Sequence, residues 1–349
     1  MKRFFVFLVL VSLFLVAGCR SEIVPAPPAD TALPTTESTA PSTEESSSEE
    51  SVPSGGLKMT ETATALGLTA ENYPKIDGST STLGIVQGLW EAMAEEDPIY
   101  YQALYPRSAS KTVPSYHLLI GGEVDMIFVP YASADVLQAA AEAGVELEFH
   151  QVAAEALVFI TPAENPTANI TCEQVRSIYL NYGITNWQEL GGPDRELVPI
   201  CRNSDSGSQS QMDNLILNNE EMHPAIQENF VELTMEGMLE QVAFYHSGGF
   251  SQEPTDSYAL GYTLYCYFYN MMDCSEAPHH LKLLDYEGVT PTAQSIMSGE
   301  YPLADGYYAV VRSDLPEDHP ARAMIAWLQS EEGYPVIENA GLMSLRPEN

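Results

Sequence analysis

Basic residues are scarce. Only 14 Lys and Arg stand against 49 Asp and Glu, a formal net charge of −35. A nucleic-acid partner needs a basic face and an anionic membrane a polybasic patch, so both are excluded. Cysteine is sparse too, at 5 residues, and no Cys-x-x-Cys occurs. His279-His280 lacks a second ligand pair at helical or hairpin spacing, so neither a metal site nor a cofactor is expected. There is no Gly-x-Ser-x-Gly elbow, and the 7 histidines form no evident Ser/His/Asp grouping, which argues against an enzyme. The apolar run at residues 4–16 is too short to span a bilayer.

What is present is ample hydrophobic material: 45% of 349 residues, with 18% charged, enough for two globular domains with real cores. At the start, Lys2 and Arg3 precede that apolar run, and Val16-Ala17-Gly18-Cys19 follows it. Small residues directly before a cysteine resemble the lipobox of bacterial lipoproteins, which implies a signal peptide over 1–18 and a lipid on the Cys19 thiol. Residues 19–56 are rich in Ser, Thr, Glu and Pro with almost no large apolar side chain. They cannot bury enough surface to fold and read as a tether.

Beyond the tether, strand-like and helix-like runs alternate, the pattern of an α/β chain. Leu197, Val198, Ile200 and Cys201 read as a short buried strand, and Met212, Leu215 and Ile216 recur at helical spacing. Between them, Arg202-Asn203-Ser204-Asp205-Ser206-Gly207-Ser208-Gln209 offers hydroxyls, free amides and the positive end of a helix dipole, with a planar fork of donors from Arg202. That loop suits an oxyanion; it also suits an ordinary polar turn before an N-capped helix. A second hydroxyl-rich helix start is Gly78-Ser79-Thr80-Ser81-Thr82, ahead of Leu83, Val86, Leu89, Trp90 and Met93. Arg107, Ser108, Ser110 and Lys111 form a local basic and hydroxyl cluster. Asp125 opens the run Met126-Ile127-Phe128-Val129, where its carboxylate either meets the amides of the preceding Gly121-Gly122 turn or faces a cleft. Two strands are expected at 147–152 and 156–160, and Trp187 reads as core.

Five motifs then fall in a telling order: Gly78-Ser79-Thr80-Ser81, Gly122 with Asp125, Ile184-Thr185-Asn186-Trp187, Arg202 with Ser206-Gly207-Ser208, and Tyr301-Pro302-Leu303. Together they resemble the phosphate-binding proteins of bacterial ABC importers, over residues 73–349. The resemblance implies a two-lobed type II periplasmic-binding-protein fold, each lobe a mixed sheet flanked by helices, with the ligand cleft between them. It places lobe 1 at 57–156 and 259–349 and lobe 2 at 157–258, with crossings near 155–160 and 257–262. It implies Thr80, Ser81, Asp125, Arg202, Ser206, Gly207 and Ser208 as ligand-binding residues, Ser208 standing where Thr is usual. Ser79, Ser108, Ser110 and Gln209 are further candidates, and Asp205 is a charge that opposes an anion unless it turns outward or pairs with Arg202. Cys172, Cys201, Cys266 and Cys274 are either free thiols or pair as Cys172–Cys201 and Cys266–Cys274, which keeps each bridge within one lobe. The implied function is capture of inorganic phosphate by a monomer, lipid-anchored at the extracytoplasmic face, and delivery to ABC permease subunits. A sulfate or molybdate binder, or a surface sensor on the same fold, are the alternatives.

Overall fold

The computed structural model describes residues 56–96, 103–248 and 255–347. The leader, Cys19 and the tether up to residue 55 lie outside them.

Strands form where the sequence is apolar at every position or alternates. In the first lobe β1 (Ile76–Gly78) runs parallel to β2 (Met126–Pro130), which is buried throughout, as a strand covered on both faces must be. Antiparallel to β2 lies β11 (Ala304–Arg312), and antiparallel to β11 lies β3 (Leu147–Pro162). Along β11 the faces alternate: Tyr307, Ala309 and Val311 enter the core beneath helices Leu83–Met93 and Pro320–Leu328. Val310 enters the opposite core, beneath helices Thr112–Ile120 and Ala134–Glu142.

The second lobe is built on the far end of β3. There β3 pairs with β8 (Ser257–Leu264), and β8 pairs in parallel with β5 (Glu196–Pro199). Short strands complete the set: β4 (Asn169–Ile170) with β10 (Asp285–Tyr286), β6 (Cys201–Arg202) with β7 (Val231–Glu232), and β9 (Leu281–Leu283) and β12 (Met343–Ser344), both on β3. Helix Cys172–Asn181 packs Val175, Ile178 and Tyr179 with Trp187 on one side of this sheet, and helix Met235–Phe244 packs Met238, Leu239 and Val242 on the other. Trp187 is core as expected, its indole N–H donating to the Tyr258 carbonyl at 2.9 Å.

Three expectations change. The two strands foreseen at 147–152 and 156–160 are one strand of 16 residues, because no Gly or Pro interrupts Val152-Ala153-Ala154-Glu155-Ala156. Leu284, Tyr286, Ile296, Tyr301 and Leu303 are buried with Leu157 and Phe159 in the second-lobe core. On this packing we place residues 277–303 with the second lobe, before β11 returns to the first. The cysteine bridges are not formed: all four described cysteines are free. Cys266 is buried in the first-lobe core while Cys274 is exposed, so the two thiols face different surroundings. Burial pushes the Cys201 thiol up to about 12 and Cys266 higher still, which makes both inert packing groups.

Candidate functional site

The lobes meet over a small cavity of about 130 Å³. At ~30 Å³ per water it has room for roughly four waters, the scale of a bare tetrahedral anion. Four helix starts wall it: Ser79, Thr80 and Ser81; Lys111 and Thr112; Ser206, Gly207 and Ser208; and Leu233, Thr234 and Met235. The first amides of a helix have no partner within the helix and carry its positive end, so such starts are anion donors. The fourth start contributes least, because Glu232 Oε1 already accepts from the amides of Leu233 and Thr234 at 2.8 and 2.9 Å.

Each wall is held from behind. Thr82 donates to the Phe128 carbonyl at 2.5 Å and accepts from the Ser79 amide at 3.0 Å, closing the turn that presents Thr80 and Ser81. Ser79 and Ser81 share a hydroxyl contact of 2.9 Å, as do Ser206 and Ser208. Arg202 is 7% exposed; its Nε donates to the Glu232 carbonyl at 3.0 Å and Nη2 to the Leu233 carbonyl at 3.3 Å, which fixes the guanidinium against the cavity. Its amide donates to the Tyr262 hydroxyl at 3.0 Å, and that hydroxyl donates in turn to Gln209 Oε1. Burial lowers the Arg202 pKa from its ordinary value, but a guanidinium remains charged at any pH the protein meets.

Of the residues singled out by sequence, Thr80, Ser81, Arg202, Ser206, Gly207, Ser208 and Ser79 line this cavity. Gln209 stands behind it, bracing Tyr262. Asp125 is elsewhere: it precedes the N-terminal end of β2, whereas the cavity lies off the C-terminal end at Pro130. Asp125 Oδ2 accepts from the Lys75 amide at 2.7 Å, and its Oδ1 lies 3.9 Å from His319 Nε2. It satisfies a backbone amide, that of Lys75 and not those of the Gly121-Gly122 turn, so it takes neither of the two places open to it from sequence. Ser108 and Ser110 also miss the cavity; Ser110 contributes only its amide, donated to Asp77 Oδ1 at 3.1 Å. From this stretch it is Thr112, 2% exposed, that lines the cavity, with Lys111 beside it. The signal was Pro114. Proline is tolerated in the first turn of a helix, so the helix begins two residues before it rather than after it. Asp205 does line the cavity and makes no ion pair with Arg202 among the described residues.

Lys111 sits at φ 77 and ψ 171, a region almost reserved for glycine, with a cost of about 1–3 kcal/mol. Strain of this kind persists where a side chain is needed. Lys111→Gly is therefore expected to act in two directions, raising the melting temperature while slowing anion association and flattening its salt dependence. Thermal unfolding and stopped-flow binding measure the two; a slower association with no gain in stability would remove the strain argument.

A mixed sheet that runs from one lobe into the other along the long strand β3, with a donor-lined cavity between the lobes, defines the class: a two-lobed α/β protein with its cleft between the lobes. The chain belongs to the periplasmic-binding-protein (PBP) superfamily: the model of the PBP superfamily domain matches residues 47–332. Its likeness within that superfamily is to PstS-type proteins. The phosphate-binding protein PstS of Borreliella burgdorferi is 28% identical over 194 residues, which cover 55% of this chain and 64% of that protein, under two thirds of its length. Two solved structures share the fold. An ABC-type phosphate transport receptor from Vibrio cholerae superposes with a TM-score of 0.55 at 22% identity, over 78% of this chain and 99% of that one. A protein assigned as a phosphate ABC transporter substrate-binding protein from Clostridium perfringens, with phosphate bound, gives 0.55 at 20% identity, over 78% and 98%.

Proposed function

We infer that the protein captures inorganic phosphate in this cleft and delivers it to an ABC permease, held at the extracytoplasmic face by a lipid on Cys19. The observation that carries the reading is the convergence of helix starts from both lobes, with Arg202, on a cavity of about 130 Å³. Dehydrating a multiply charged anion is costly, and only a closed shell of donors replaces its water. The names of the relatives agree with this reading, and no helix among the described residues is long and apolar enough to cross a membrane.

Asp205 favours phosphate over sulfate. A carboxylate in an anion site repels a ligand unless the ligand brings a proton to share. Phosphate at neutral pH still carries a hydroxyl, and sulfate does not. Titration calorimetry against an oxyanion panel is expected to rank phosphate above sulfate by on the order of ten- to a hundredfold, from the 1–3 kcal/mol that an unpaired group costs. Asp205→Asn is expected to narrow that ratio. Sulfate or molybdate bound more tightly than phosphate would replace this reading with the other-oxyanion one.

Closure itself is testable at Gly207. A Cβ there would lie 2.6 Å from Pro130 Cγ and 2.7 Å from Thr112 Oγ1, both on the opposite lobe. Gly207→Ala should prop the lobes apart, at an overpacking cost of about 1–3 kcal/mol that the open form escapes. Small-angle scattering is expected to show phosphate compacting the wild type and not the variant, with affinity falling while ligand-free stability holds. Equal compaction in both would mean that the lobes do not meet at Gly207.

A further inference from the structure

The fourth helix start on the anion cleft is filled by the chain itself. Glu232 ends β7, two residues before the N-cap of helix Met235–Phe244. Its Oε1 accepts from the amides of Leu233 at 2.8 Å and Thr234 at 2.9 Å and from the Thr234 hydroxyl at 3.2 Å, and its Oε2 accepts from Gln241 Nε2 at 2.5 Å. These are the donors that an oxyanion bound at this start would collect, and Leu233 and Thr234 line the cleft.

Three observations separate Glu232 from an ordinary cap. The helix is capped without it: the N-cap Thr234 hydroxyl accepts from the Gly237 amide at 2.9 Å, and the amides that Glu232 takes belong to Thr234 and to the residue before it. Room is kept for the carboxylate, because a Cβ at Gly237 would collide with Glu232 Oε1 and lie 2.5 Å from its Cδ. The carboxylate also hangs from the segment that braces the guanidinium of the cleft, since the Glu232 and Leu233 carbonyls hold Arg202 Nε and Nη2. Burial lowers the Arg202 pKa, and the Glu232 charge is among those acting the other way. A negative charge so near an anion cleft weakens capture of every anion, and it yields selectivity where it weakens one ligand far more than another.

We propose that Glu232 is a specificity-determining residue: its carboxylate takes the place that a ligand's second anionic group would fill, so the cleft admits a lone oxyanion and rejects a phosphoryl or phosphonyl group that carries a further carboxylate or phosphate. The proposal rests on the anion reading of the cleft given above. Two effects act together against such a ligand. Its second group meets a like charge, and the amides it needs are already taken, so it is dehydrated without gaining partners. A lone tetrahedral anion presents no second group and meets only the weaker, more distant repulsion.

The test is calorimetric titration of the full-length protein with phosphate, methylphosphonate and phosphonoacetate, the last adding one carboxylate to the methylphosphonate head. It is run at about 0.15 M salt, where the Debye length is about 8 Å and repulsion from the acidic surface at large is screened. Wild type is expected to prefer phosphate over phosphonoacetate at least tenfold. Glu232→Ala, which frees the amides of Leu233 and Thr234, should narrow that ratio at least tenfold while methylphosphonate gains less than threefold on phosphate. Glu232→Gln keeps an acceptor on those amides and removes the charge, and should narrow the ratio at least threefold. Excess acetate at constant ionic strength should refill the vacated place in Glu232→Ala and weaken phosphonoacetate at least threefold more than phosphate. A ratio that neither substitution moves, an equal gain by methylphosphonate, or no response to acetate would make Glu232 a structural cap and overturn the proposal. Wild type is titrated with phosphate first: no binding there removes the anion reading and this one with it, whereas phosphate bound with the ratio unmoved removes this one alone.

Discussion

Arg202→Ala is expected to weaken the proposed phosphate binding by about 2–5 kcal/mol, the penalty for truncating one member of a buried charged pair. The expectation rests on what the guanidinium faces and on what holds it. Arg202 is 7% exposed, and two carbonyls of the β7 end fix two of its donors, so little conformational freedom is lost when an anion arrives. Without it, the anion confronts Asp205 with neutral dipoles and the exposed Lys111 alone. Arg202→Lys should fall between, since an ammonium keeps the charge but cannot brace against both carbonyls while addressing the ligand. Titration calorimetry decides the matter. An alanine variant within threefold of wild type would mean that the cleft does not hold the anion.

The fold was readable where periodicity and chain breakers agree. Ile85, Val86, Leu89, Trp90 and Met93 form one buried stripe at helical spacing, and β2 is apolar at every position. The cradle was readable because Arg202, Ser206, Gly207 and Ser208 lie within seven residues, so local geometry brings them together. What failed was assembly over distance. Asp125 is adjacent in sequence to the right strand but at the wrong end of it, and only the direction of β2 relative to the cleft tells the ends apart. Thr112 carries no hydroxyl-rich signature of its own, and only the place of Pro114 in the first turn brings it to a helix start. The larger cavity of about 510 Å³ bordered by Ser133 and Asp213 had no sequence signal, since its walls come from segments far apart in the chain. Glu155 did have one: a lone carboxylate among Val152, Ala153, Ala154, Ala156, Leu157 and Val158 marks a buried charge that needs a reason.

That reason is the place of Glu155 on β3. Glu155 is fully buried where β3 passes from one lobe to the other, and its Oε1 accepts from the amides of Ala156 at 2.9 Å and Cys266 at 3.0 Å. One oxygen therefore ties β3 to the segment that leaves β8. Its Oε2 has no hydrogen-bond partner, and the Tyr307 hydroxyl nearby has none either. Burial pushes the Glu155 carboxyl from an ordinary 4.5 up to about 7, the two amides pulling the other way. Burial also raises its titratable neighbours, Tyr307 and Cys266, so both stay neutral across that window. The folded state thus binds more protons than the unfolded chain between about pH 4.5 and 7. Stability from this group is present at low pH, is lost as pH rises through the window, and is level above it, a fall of about 3 kcal/mol. Glu155→Gln imitates the protonated carboxyl, with an oxygen for the amides and an N–H₂ for the space around Tyr307. The variant is expected to match wild type near pH 5 and to be about 3 kcal/mol more stable at pH 8. Urea unfolding at pH 5, 6, 7 and 8 reads the difference. If both proteins lose stability equally as the pH rises, Glu155 is ionised throughout and β3 holds a permanent buried charge instead.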